Sequence, residues 1–164
     1  MSASLLLSWR KGVTASADGE GTFVVQGPGA RVSLQRVPAA ILAALRRLDP
    51  PGLDQDSLCK LIQGNGDGAL ARWYYYLERL TQRGLLCYIA QVGGARLATL
   101  AAVSSSFASE PTQVIAGRRY VLSRFAYLRR EGTEAVLESP LAHARIVLND
   151  CRAAARGGPS AGSR

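Results

Sequence analysis

Residues able to do covalent chemistry are few and scattered in this chain. The cysteines, Cys59, Cys87 and Cys151, stand far apart with no CxxC pair, and His143 is the only histidine. A zinc site draws on four ligands at recognisable spacings. This set therefore predicts free thiols in a reducing compartment and no metal site. No Ser/His/Asp arrangement surrounds His143, which reads as a strand or loop residue. Gly64-Asn65-Gly66-Asp67-Gly68 is glycine-rich, but it falls between two helical stretches and reads as a turn, not a phosphate loop. The concentrated chemistry is non-covalent. Arg72-Trp73-Tyr74-Tyr75-Tyr76-Leu77-Glu78-Arg79 crowds tyrosines and guanidiniums together. Tyrosine supplies broad amphipathic contact, and arginine pairs with carboxylates, often bidentately. The pattern predicts recognition, and no catalysis by this chain alone.

Composition sets the frame for that reading. A chain of 164 residues with 48% hydrophobic content can build the core of one ordinary domain or two small ones. Its net charge of +8 favours an acidic partner, either nucleic acid or an acidic peptide. The charge is not gathered in one place, because residues 1–103 and 104–164 each carry +4. No apolar run approaches the roughly 20 residues that span a bilayer. Leu5-Leu6-Leu7 has no cationic segment before it, so no signal peptide is expected and a cytoplasmic location is the default.

The elements that must hold the tyrosine-rich helix can be read from periodicity. Ser4–Trp9, Thr22–Gln26 and Arg31–Arg36 read as strands, the last alternating polar and apolar, and a three-strand meander is their expected assembly. Pro38 suits a first helical turn, with Ile41, Leu42, Leu45 and Leu48 on one face. Asp49-Pro50-Pro51-Gly52 stops that helix. Asp54 caps a second helix bearing Leu58, Leu61 and Ile62. Asp67 caps a third, extending to Arg83, on which Leu70, Trp73, Tyr74, Leu77 and Leu80 form the core stripe. Leu85–Gln91 and Ala95–Val103 flank Val92-Gly93-Gly94 as a hairpin. Three helices followed by a hairpin make residues 1–103 a winged helix-turn-helix, with the strands before the first helix expected to form a sheet with the wing. Residues 104–118 read as a linker and 153–164 as a disordered tail.

Residues 119–152 echo the start of the chain. Val24-Val25-Gln26-Gly27-Pro28 matches Val136-Leu137-Glu138-Ser139-Pro140, Arg31-Val32-Ser33-Leu34 matches Arg145-Ile146-Val147-Leu148, and Leu7-Ser8 matches Leu122-Ser123. The fold class is thus α+β: a winged helix followed by a second, incomplete β-meander with strands at Tyr120–Arg129, Glu134–Glu138 and Ala144–Asn149. Three strands rarely bury enough alone. The second meander must dock on the first unit, dimerise, or belong to a longer parent chain.

Two segments carry a family resemblance: Tyr120-Val121-Leu122-Ser123-Arg124-Phe125-Ala126-Tyr127-Leu128-Arg129-Arg130-Glu131-Gly132 and Leu137-Glu138-Ser139-Pro140-Leu141-Ala142-His143-Ala144-Arg145-Ile146-Val147-Leu148. They resemble the stretch preceding the flavin domain in SagB/ThcOx-type azoline dehydrogenases. The winged-helix half resembles a RiPP recognition element of PqqD type, which grips the leader of a ribosomally made precursor peptide. The flavin domain is the large departure. The resemblance therefore implies no cofactor in this chain, with FMN expected only in a missing or partner catalytic domain. It implies as partners a precursor leader peptide, an FMN-dependent dehydrogenase and a cyclodehydratase, with a homodimer also open.

The resemblance also implies a site. The leader adds as a strand beside the third strand of the meander and packs against the third helix, a case of β-augmentation. Carried onto this sequence, the edge is Arg31, Val32, Ser33, Leu34, Gln35 and Arg36. The helix contributes Arg72, Tyr75, Tyr76, Arg79, Leu80 and Arg83. Proline at Val32 is expected to remove a main-chain donor from the edge. The competing reading is a DNA-binding transcriptional regulator, with the third helix in the major groove and Arg96 on the wing. Bulky aromatics and Glu78 on that helix, and the evenly spread charge, weigh against nucleic acid.

Overall fold

The computed structural model describes residues 3–18, 21–66, 68–107 and 117–150. Strand β1 (Ala3–Trp9) turns Leu7 and Trp9 to one side and Leu6 and Ser8 to the other, as period-two geometry requires. It is followed by β2 (Thr14–Asp18), β3 (Thr22–Gly27) and β4 (Ala30–Leu34), which pair antiparallel in the order β2-β3-β4. A three-strand meander is present, but it is not the one expected. Its first strand is β2, not Ser4–Trp9. Thr14-Ala15-Ser16-Ala17-Asp18 is small, polar and almost wholly exposed, so it lacks the β-branched and aromatic residues that mark a strand. The last strand also stops earlier than expected. Gln35 and Arg36 lie past β4, and Arg36 takes a left-handed φ of 50° that cannot continue a ladder.

Helix α1 (Ala39–Arg46) begins after Pro38 and buries Ile41, Ala44 and Leu45. A two-residue strand, β5 (Leu53–Asp54), leads into α2 (Gln55–Ile62). Asp54 caps α2 as expected, accepting the Ser57 N–H at 2.9 Å. Helix α3 (Ala69–Gln82) starts after Gly68 at φ 82°. The expected cap, Asp67, lies outside the described residues. The hairpin β6 (Leu86–Val92) and β7 (Ala95–Ala102) turns at Gly93 and Gly94, both at positive φ. The order of three helices and a hairpin is the one expected.

One core joins the small sheet, the helices and the inner face of β1 and β6. It holds Phe23 and Val25 of β3, Val32 and Leu34 of β4, Ile41 and Leu45 of α1, Leu58 and Ile62 of α2, and Trp73, Tyr76, Leu77 and Leu80 of α3. Each fully buried leucine or isoleucine there contributes about 1.5–3 kcal/mol. Gly52 shows how tightly β1 meets the α1–β5 loop. A Cβ there would run into the Leu7 carbonyl and Ser8 Cβ, and the residue sits at φ 84°.

The second meander is β8 (Tyr127–Glu131), β9 (Glu134–Glu138) and β10 (Ala144–Leu148). It docks on the first unit: β10 pairs antiparallel with β7, giving one seven-stranded sheet ordered β5-β1-β6-β7-β10-β9-β8. The internal repeat survives at the level of register. Val25 stands opposite Val32 in the first meander, and Leu137 stands opposite Ile146 in the second. Two expectations change. The strand expected over Tyr120–Arg129 begins only at Tyr127, because Ser123 folds the preceding residues into a turn: Ala126 N–H donates to the Ser123 carbonyl at 2.8 Å, and Phe125 N–H to its hydroxyl at 3.3 Å. The equivalence of Leu7-Ser8 with Leu122-Ser123 also fails, since the former lies in β1, outside the small sheet. The tail and residues 108–116 of the expected linker lie outside the described residues.

Candidate functional site

Strand β4 ends the small sheet, with β3 on one side and no strand on the other among the described residues. The register says which of its main-chain groups are left over. Gly27 and Ala30 close a two-residue turn and must exchange hydrogen bonds with each other. Antiparallel pairs alternate between bonded and non-bonded. Val25–Val32 and Phe23–Leu34 are therefore bonded pairs, and Gln26–Arg31 and Val24–Ser33 are not. The N–H and C=O groups of Arg31 and Ser33 thus point away from β3, toward the open edge. The side chains follow the same alternation: Val32 and Leu34 are buried in the core, and Arg31 and Ser33 are exposed. This register alters one expectation. The Val32 N–H faces β3, so proline there would break the hairpin instead of the free rim.

Helix α3 presents two kinds of surface. Trp73, Tyr76, Leu77, Leu80 and Thr81 are buried at helical spacing. Arg72, Tyr75, Arg79 and Arg83, spaced i, i+3, i+7 and i+11, lie on one exposed face. Among the described residues none of these three arginines, nor Arg31 or Arg36, has a carboxylate at ion-pair distance. Glu78 instead accepts from Gln82 Nε2 at 3.1 Å along a neighbouring stripe.

The structure corrects two tyrosines. Tyr74, expected in the core, is 48% exposed, with its hydroxyl 3.4 Å from the Cys59 sulfur on α2. Tyr76, expected at the contact surface, is only 7% exposed. Leu80, expected beside it there, is fully buried as well. Half-buried Leu70 widens the apparent apolar stripe toward Tyr74, whereas the packed stripe is centred on Trp73, Leu77 and Leu80. Val32, Leu34, Tyr76 and Leu80 therefore lie in the core. The groups free to meet a ligand are the main chain of β4 and the side chains of Arg31, Gln35, Arg36, Arg72, Tyr75, Arg79 and Arg83.

Other chemistry can be placed. Burial pushes the Cys87 thiol up to about 11, and its sulfur donates toward the Ser8 and Trp9 carbonyls, so it is no nucleophile at neutral pH. His143 is exposed, and its carbonyl accepts the Val103 N–H at 2.9 Å. Among the described residues no group of three His, Cys, Asp or Glu side chains could hold a metal, and no helix is long and apolar enough to cross a membrane. One cavity lies beside Leu5, Asp54 and Asp56, and a second is lined by Arg10, Lys11, Arg96 and Arg145 with Asp49, Glu131 and Glu134.

Comparison with known families bears on this geometry. A family model described as the ThcOx helix turn helix domain matches residues 1–110, and one described as cyanobactin oxidase ThcOx matches residues 120–156. No curated protein matches the chain. The two matches fall on the helix-bearing unit and on the second meander, and they associate the chain with the biosynthesis of cyanobactin-type ribosomal peptides. Since the first match spans well over half of its residues, the chain belongs to the ThcOx helix turn helix domain family.

Proposed function

We propose that this chain binds the leader region of a ribosomally made precursor as an added strand on β4, and presents it to azole-forming enzymes. The observation that carries the reading is the open β4 rim, where Arg31 and Ser33 turn their main-chain groups outward. An extended peptide can satisfy those groups whatever its sequence, and side-chain contacts then select among peptides. The exposed arginines Arg31, Arg36, Arg72, Arg79 and Arg83 favour acidic leader residues, and Tyr75 offers amphipathic contact beside Arg72 and Arg79 on α3.

In this reading the chain is a recognition module without catalysis of its own. Cyclodehydration and FMN-dependent oxidation belong to partner enzymes, and no step of either runs through the residues described above.

The test is a titration of the isotope-labelled chain with the leader of a precursor encoded beside it. Saturable binding that shifts the amides of Arg31–Leu34 and of α3 supports the reading. Binding that leaves β4 untouched contradicts it. DNA binding by α3 would use the same arginines, and it would appear as a duplex affinity falling steeply with salt.

A further inference from the structure

The four central strands place Ser8, Cys87, Ala101 and Arg145 side by side on one face of the large sheet. Over this face lies an open cavity of about 580 Å³, bordered by the β1–β2 turn, Pro28 and Asp49-Pro50. It shares no residue with β4 or α3. Its lining carries four cations, Arg10, Lys11, Arg96 and Arg145, against three carboxylates, Asp49, Glu131 and Glu134. Two of the cations are occupied: Lys11 Nζ lies 3.7 Å from Glu134, and Arg145 Nη1 lies 3.1 Å from Glu131.

Arg10 and Arg96 are not occupied in this way. Neither has a carboxylate at ion-pair distance among the described residues, although both act electrostatically on the Cys87 thiol. Arg10 donates only a long hydrogen bond, 3.5 Å, to the Gly84 carbonyl. Burial first, and then the positive charge of Arg145, push its pKa down, against a smaller opposite pull from Cys87 and Glu131. One further donor on a lining residue, Arg145 Nε, is buried without an acceptor. Buried donors in native proteins ordinarily have partners, so an unmet donor beside unpaired cations marks a place for an acceptor from outside.

The lining also selects among anions. Its ionic groups sum to a single positive charge. A phosphate dianion would overshoot that balance and meet Asp49, Glu131 and Glu134. A carboxylate matches it, and a guanidinium can grip a carboxylate in bidentate fashion. Beside the cations the wall is apolar, with Val13, Pro28, Ile89 and Val147.

We propose that this cavity is a second binding site, for a single carboxylate carried on an apolar group, held by the guanidiniums of Arg10 and Arg96 with its apolar body against Val13, Pro28, Ile89 and Val147. A chain-terminal carboxylate and a glutamate side chain are the two sources of that chemistry. This site is independent of strand addition at β4, so either can fail without the other.

The experiment titrates the isotope-labelled full chain with four probes: N-acetyl-leucine, N-acetyl-leucinamide, the N-acetylated and C-amidated dipeptide Leu-Glu, and inorganic phosphate. The readout is the side-chain Nε–H signals of Arg10, Arg96 and Arg145. Saturable shifts with N-acetyl-leucine assign a chain-terminal carboxylate, and saturable shifts with the dipeptide assign a side-chain one. The uncharged amide should give none. Arg96→Gln, on an exposed strand position, should weaken the binding about tenfold, the loss expected for one charge-assisted contact. Arg10→Gln should do the same, but Arg10 also ties down the Gly84 loop, so Arg96→Gln is the deciding variant. Saturation by phosphate alone, equal shifts with the amide, no saturation by either carboxylate, or unchanged affinity in Arg96→Gln overturns the proposal.

Discussion

Replacing Ser33 by proline separates the open rim of β4 from the hairpin that carries it. Ser33 stands opposite Val24 in a non-bonded pair, so its N–H takes no part in the β3–β4 ladder. Proline there deletes an outward donor and leaves every β3–β4 hydrogen bond in place. Edge strands tolerate proline in that orientation. Arg31 and Ser33 together offer two N–H and two C=O groups, each worth about 0.5–1.5 kcal/mol net when paired. The substitution removes one bond. Its ring also keeps an added strand from closing to the usual ~4.8 Å spacing, which weakens the adjoining bond. The combined loss is about 2–3 kcal/mol, or roughly 30- to 150-fold in affinity. Fluorescence anisotropy with a labelled leader peptide would read the affinity, and a thermal melt followed by circular dichroism would read the fold. Val32→Pro is the contrast, because its N–H bonds to β3 and its loss should lower Tm. The reasoning is refuted if folded Ser33→Pro protein binds the leader as tightly as the unaltered chain. It is refuted equally if Ser33→Pro and Val32→Pro lower Tm by the same amount, since the Ser33 N–H would then already be in use.

Three further outcomes follow from named contacts. Replacing Arg72, Arg79 and Arg83 by glutamine should leave Tm unchanged, because all are exposed, while weakening an acidic leader roughly tenfold and flattening its salt dependence in a binding titration. Asp54→Ala should cost about 1 kcal/mol, a few degrees in Tm, by uncapping α2. The N–H of Ser57 holds the Asp54 carboxyl below the usual carboxylate range, so this contribution is complete above about pH 4 and is lost as pH falls through the lower folded value. Thermal melts of both proteins between pH 2 and pH 6 should therefore converge at the acid end. Alkylation of the native chain with iodoacetamide at pH 8, mapped by mass spectrometry, should spare Cys87, whose thiol titrates near 11 behind the β1 backbone, and reach it after unfolding.

What the amino-acid sequence discloses follows the range of the interactions involved. Helix α2 was legible because Asp54 caps it locally and Gly64 follows it. The β6–β7 hairpin was legible because two glycines meet the positive φ of its turn. The register of both meanders was legible because the repeated segments carry the same alternation. The partner of β1 was legible in part: the strands before α1 were expected to form a sheet with the wing, and β1 does pair with β6, but no local pattern shows that it leaves β3 to others, because the β1–β6 pairing spans about eighty residues. The rotation of α3 was misread by about one residue, because three tyrosines in succession satisfy several apolar stripes and only packing chooses among them. For the same reason the convergence of Arg10, Arg96 and Arg145 left no trace in the sequence: the pairing of β1, β6, β7 and β10 creates it.

Hydrogen exchange at single amides of β4 tests the strand-addition account most directly. In the unliganded chain Val32 and Leu34 should exchange slowly and Arg31 and Ser33 quickly. Saturating leader peptide should slow Arg31 and Ser33 and leave the other two unchanged. Slow exchange at Arg31 and Ser33 before any peptide is added, or no slowing once it is bound, would contradict the account.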